Sequence, residues 1–255
     1  MHSNGKLSIQ ALFIMVQTVL YVGFLALDLT GQGIGLSVSI KYSIVLLCFC
    51  YALLGAGKST YYLLQAALFF TVISDLFILI LDYYIYGVLT FIVAQELYGL
   101  RILLLHGREE SDYDDNWRKL GGAFLKRVLL QAIAAFFIIL LLIMAGVRVD
   151  GLLAVSVFYF ICILTNVISA IALARKRPEA SSNRLYAIGM FLFLLCDINV
   201  GLFNLSGFLS IPENIYAVLY SLSSILMWTF YAPAQVLIAI SSGKSLRTMK
   251  KPTKK

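Results

Sequence analysis

Long apolar stretches separated by short polar breaks make up nearly the whole chain. A helix needs about 20 apolar residues to cross a bilayer. Eight stretches meet that length: Leu7–Leu27, Gly35–Gly55, Ser59–Leu81, Tyr84–Leu105, Val128–Val147, Gly151–Ala174, Leu185–Phe208 and Ile215–Ile240. The longest hydrophilic break, His106–Lys126, falls between the fourth and fifth stretches and reads as a cytoplasmic loop, and residues 241–255 read as a basic cytoplasmic tail. The first stretch follows Lys6 as a secretory leader would, but it lacks a small-x-small cleavage site and reads as a spanning helix. The pattern predicts one all-α domain, a bundle of eight transmembrane helices.

Composition agrees. Of 255 residues, 61% are hydrophobic and 13% charged, where a soluble domain carries about 25% charged residues. The net charge of +7 does not imply a nucleic-acid partner, because the basic residues collect at helix ends and in the tail. Alternate breaks and the two ends hold 18 Lys and Arg residues, whereas the opposite side holds only Lys41 and Arg148. That asymmetry supports eight spans in the cell membrane with both termini in the cytoplasm. The tail, Lys244–Lys255, should attract anionic lipid headgroups. All four cysteines, Cys48, Cys50, Cys162 and Cys196, lie in apolar spans without metal or disulfide spacing, so they read as small packing residues.

Polar side chains inside the spans narrow the picture further. The fifth span is nearly featureless from Ala132 to Ala145 and reads as lipid-facing. Elsewhere Gln17, Tyr21, Lys41, Asp75, Gln95, Glu96, Thr165, Asn166, Asp197, Asn204, Trp228, Tyr231 and Gln235 should face the bundle interior, since lipid satisfies none of them. The halves also align four helices on four. Asp75 then matches Asp197, and Phe91–Gln95 matches Tyr231–Gln235, as in parallel repeats about an axis normal to the membrane. The Asp-to-Gln spacings of 20 and 38 residues differ between the halves.

A carboxylate at mid-membrane costs a few kcal/mol even on mild scales, so Asp75 and Asp197 are the prime functional candidates. The bland alternative is structural pairing with Lys41 or with polar groups on neighbouring helices. By residue count Asp75 lies about six residues, roughly 9 Å, below the outer end of its span, Asp197 about ten residues and Lys41 about six. A lysine between the two acids would keep one ionised while the other holds a proton, the division of labour that acid–base chemistry requires. Lys41 has the alternative of snorkelling to the outer headgroups. Glu96 reads either as a third polar wall or as an acid making one interhelical hydrogen bond, and Arg101 as a residue snorkelling to the cytoplasmic surface. Ser224, Trp228, Tyr231 and Gln235 form one stripe, either a packing seam or a substrate wall. Pro233 should free a backbone carbonyl near it. Asn204 lies two turns beyond Asp197, with Gly201 between them permitting close approach.

The acidic run Glu109, Glu110, Asp112, Asp114 and Asp115 lacks the glycine and terminal glutamate of a calcium loop, and His2 and His106 are isolated. No metal and no cofactor is therefore expected. Phosphate-loop, nucleophile-elbow and dinucleotide fingerprints are absent too, and the last span has no lysine for a retinal Schiff base.

Ser74-Asp75, Gly87, the stretch Phe91–Tyr98 (FIVAQELY), Cys196-Asp197 and Tyr231–Ser241 (YAPAQVLIAIS) together resemble the YhhN-like lysoplasmalogenase family of eight-helix membrane proteins. Lys41 is similar to a lysine that the family places near the start of its second helix. The resemblance implies hydrolysis of the vinyl ether of lysoplasmalogens, with Asp75 and Asp197 as the catalytic pair. It also implies an apolar cavity for the single chain and a headgroup held near the interface, lined by residues such as Tyr98. Asp75, the nearer to the surface by residue count, takes the water-activating role. Many members carry a histidine where this chain has Gln95, which points to a divergent branch. The rival class is a proton-coupled transporter or lipid carrier using the same two aspartates, and the plainest is a structural membrane protein without chemistry.

Overall fold

A computed structural model describes residues 2–55, 59–107, 113–209 and 211–242. Its helices are α1 (His2–Thr30), α2 (Ile34–Leu53), α3 (Ser59–Asp75), α4 (Tyr84–Gly107), α5 (Tyr113–Met144), α6 (Gly151–Lys176), α7 (Ser181–Phe203) and α8 (Glu213–Ile240). All eight are long and apolar enough to cross a membrane, and the described residues contain no strand. The predicted Lys244–Lys255 tail and the start of the acidic run lie outside the described residues.

The helix ends differ from the sequence reading in instructive ways. Much of the break expected over 106–126 is helical, because α5 begins at Tyr113. Its polar first turns continue the helix without adding to an apolar run, so hydropathy detects only the part from Leu120 onward. At the other end of the chain's second half, α7 stops at Phe203 rather than Phe208, and a single 3₁₀ turn, Leu205–Gly207, follows. Gly31 and Gly33 supply left-handed conformations (φ 66° and 62°) for the short α1–α2 connection, which a side chain would strain. Asp150 caps α6 by accepting the Leu153 N–H at 2.7 Å.

After Asp75 the third helix widens into a π turn, Leu76–Ile80. Such turns insert one residue into the helical register and occur often at functional sites. Here the turn also brings α3 against α4. Ser74 Oγ donates to the Gly87 carbonyl at 2.5 Å, and a Cβ on residue 87 would run into the Ile78 side chain. Gly87→Ala should therefore lower the melting temperature in detergent, by the equivalent of ~1–3 kcal/mol of overpacking. Adding Ile78→Ala should recover part of that loss.

The core runs through α1, α2, α3, α4, α6, α7 and α8, with Tyr98, Tyr186, Phe24, Phe193, Ile44 and Met190 fully buried. Helix α5 lies outside it. Leu141 is 63% and Met144 75% exposed, as expected of a lipid-facing span. What fastens α5 is polar: Gln131 Nε2 donates to Thr165 Oγ1 at 2.7 Å, and Arg127 reaches inward toward α4 and α6.

Candidate functional site

Asp75 closes the regular part of α3, and Asp197 lies six residues before the end of α7. With α7 ending at Phe203, the two carboxylates sit at similar depth below the same end of the bundle. Each accepts a hydrogen bond from a tyrosine. Tyr231 on α8 donates to Asp75 Oδ2 at 2.6 Å, and Tyr159 on α6 donates to Asp197 Oδ2 at 2.7 Å. Asp75 is buried, whereas Asp197 is half-buried.

Aromatic rings fill the space between the two tyrosines. Phe91 packs 5.7 Å from Tyr159 and 6.4 Å from Tyr231 between ring centroids, and Phe193 lies 5.2 Å from Tyr231. Trp228 stands edge-on to Tyr231 at 5.0 Å. In the Ser224–Gln235 stripe, Trp228, Tyr231 and Gln235 are all buried. Gln235 is fully buried, and neither its Nε2 nor its Oε1 has a hydrogen-bond partner. Pro233, which has no N–H to offer the Thr229 carbonyl, leaves that oxygen to Tyr21, whose hydroxyl donates to it at 3.3 Å. The freed carbonyl expected from the sequence is thus used to tie α8 to α1.

Lys41 does not stand between the two acids. Its Nζ pairs with Asp28 Oδ2 at 2.7 Å, and Asp28 Oδ1 accepts the Ser37 hydroxyl at 2.5 Å. The ammonium also lies 5.6 Å from the Phe24 ring centroid and 5.4 Å from that of Trp228. The reason for the correction is length: α1 runs to Thr30, three residues past the predicted end, and this brings Asp28 inside the helix as a nearer counter-ion.

A second polar network joins α4, α5 and α6. Asn166 Nδ2 donates to both the Gln95 carbonyl (2.7 Å) and Gln95 Oε1 (2.8 Å), and Arg127 Nη2 donates to Asn166 Oδ1 at 2.8 Å. The Gln95 Nε2, fully buried, has no hydrogen-bond partner. Glu96 is neither a free wall nor the partner of a single hydrogen bond. It forms an ion pair with Arg127 at 3.6 Å, both side chains being largely buried. Gly99 makes room for this arginine, whose guanidinium occupies the place a Cβ would take.

Three further expectations need correction. Arg101 is buried and stacks on Tyr186 with Cζ 4.4 Å from the ring centroid, instead of snorkelling to the surface. Asn204 is exposed at the end of α7 and bonds only its own helix, through Val200 O, so it is not part of the site. Gly201 has no atom close enough for the expected helix approach. Tyr98 is fully buried behind the site, 3.5 Å from the Thr71 hydroxyl. The aspartates' hydrogen-bond partners also do not follow the four-by-four repeat: Asp75 uses α8, whereas Asp197 uses the neighbouring α6. Sequence reasoning missed Asp28, Ser37 and Tyr159. For Asp28 the available signal was an acid at the end of the first span, one short connection before the helix of Lys41. For Tyr159 there was none beyond a phenol in an apolar span.

Fold and site together define a multi-pass membrane protein with a buried pair of tyrosine-held carboxylates. The model of the YhhN family matches residues 36–242, most of the chain, and the chain belongs to that family. No curated protein and no solved structure matches it.

Proposed function

We propose that this protein is a membrane-embedded hydrolase, resident in the cell membrane, that cleaves the vinyl-ether bond of lysoplasmalogens to a fatty aldehyde and a glycerophospho-alcohol. The observation that carries the reading is the pair of carboxylates, each fixed by a tyrosine hydroxyl, at similar depth in one aromatic-walled layer. Family membership supports it.

The chemistry needs one acid and one base. A protonated carboxyl gives its proton to the outer vinyl carbon, the double-bond electrons form the new C–H bond, and an ether-oxygen lone pair generates an oxocarbenium ion. The ionised carboxylate stabilises that cation, as in glycoside hydrolysis, and takes a proton from the attacking water. The resulting hemiacetal collapses. Its hydroxyl proton returns to the first carboxylate, the base delivers its proton to the departing glyceryl oxygen, and both groups are restored. One aspartate of the pair serves as the acid and the other activates water. The two tyrosines orient the carboxylates, and the apolar helices accept the alkenyl chain.

Purified protein should release fatty aldehyde from a 1-alkenyl lysophospholipid, measured through coupled oxidation of NADH by an aldehyde-reducing enzyme. Absence of turnover with every vinyl-ether lysolipid offered would sink the assignment.

A further inference from the structure

The Asp28–Lys41 pair has a peculiar setting for a structural salt bridge. Lys41 offers three N–H donors, yet Asp28 is its one ion-pair partner among the described residues. The two side chains keep 12% and 17% of their surface open, so the pair is not sealed from its surroundings. Phe24 and Trp228 stand 6.2 Å apart and present their rings around the ammonium. Asp28 is two residues from the end of α1, while Lys41 is seven residues into α2 and reaches back toward that end. The pair therefore lies above the carboxylates, toward headgroup level. Trp228 connects the two levels, touching Lys41 on one side and Tyr231, which holds Asp75, on the other.

We infer that Asp28, Lys41 and Trp228 form a subsite for a zwitterionic phospho-amino-alcohol headgroup. Lys41 and Asp28 take its phosphate and ammonium respectively. An inserted zwitterion completes an alternating arrangement of four charges, so neither protein charge loses a partner on binding. A headgroup with phosphate alone would bring a negative charge against Asp28 with nothing to offset it. The subsite rests on the lysolipid reading above and extends it to a choice among headgroups. It also places the scissile ether beyond Trp228, beside the tyrosine-held acids.

Two measurements separate this inference from the hydrolase assignment. In the first, three 1-alkenylglycerols are compared as substrates: the phosphoethanolamine form, the phosphate form and the one without a headgroup. The expected kcat/KM for the phosphoethanolamine form exceeds both others by about tenfold or more, and Lys41→Gln and Asp28→Asn each collapse that ratio, chiefly through KM. A ratio unchanged in both variants overturns the subsite and leaves the hydrolase standing. The second measurement requires no turnover. Binding of acyl lysophosphatidylethanolamine is followed by Trp228 emission in a Trp117→Phe background, against monoacylglycerol as control. Tighter binding of the zwitterion, lost in the two variants, supports the subsite even if no aldehyde is ever released, and equal affinity for both lipids overturns it. Should a single variant misfold, the exchange Asp28→Lys with Lys41→Asp preserves the ion pair while reversing its direction. Wild-type binding by that folded exchange variant would also overturn the inference.

Discussion

Asp75→Asn and Asp197→Asn should each lower aldehyde release by about 10²–10⁴-fold, the range typical for removal of one general acid or base. Asparagine keeps the size of aspartate and can still accept the tyrosine hydroxyl, so Tyr231 and Tyr159 retain their partners and the packing changes little. What disappears is the capacity to give or take a proton. The double variant should be scarcely worse than either single one, because the two groups act in one reaction and their losses do not add. Initial rates of the four proteins, compared at matched folded fractions from size-exclusion chromatography, check this. If either single variant retained more than about a tenth of wild-type rate, that aspartate would not belong to the chemistry.

The second large effect concerns stability. Arg127→Met should destabilise the protein by about 3–5 kcal/mol, since it leaves the Glu96 carboxylate largely buried without its cation. It also removes the donor that holds Asn166, and with it the frame around Gln95. Combining Arg127→Met with Glu96→Gln should recover most of the loss, because a neutral amide costs far less to bury than a lone charge. Thermal unfolding in detergent, read for the two single variants and the pair, tests the coupling. An Arg127→Met protein as stable as wild type would mean that Glu96 has another compensating group.

The spans were legible because a bilayer imposes a length and an apolar composition that few other structures share. Asp75 and Asp197 were legible for the same reason, as charges where lipid tolerates few. Their shared depth was obscured by the end of α7: the apolar run continues to Phe208, but the helix stops at Phe203. Partnerships were less visible still. The partner of Lys41 is hidden because Asp28 falls just past the expected end of the first span. Arg127 falls between the expected loop and the fifth span, at a position that marks only a helix end, so its ion pair with Glu96 is not visible in the pattern. Tyr159 is one of 15 tyrosines, and only a folded bundle distinguishes the one that meets a carboxylate.

The stretch matched by the YhhN family begins at residue 36 and so leaves α1 outside it. That helix nevertheless supplies Tyr21, which secures α8 at its proline, and Asp28, which holds Lys41. The matched segment thus contains both tyrosine-held acids, while the counter-ion of its lysine comes from beyond it. Changing α1 alone could alter which molecules are admitted without touching the groups that react. In this chain, the first helix is where selectivity can evolve separately from chemistry.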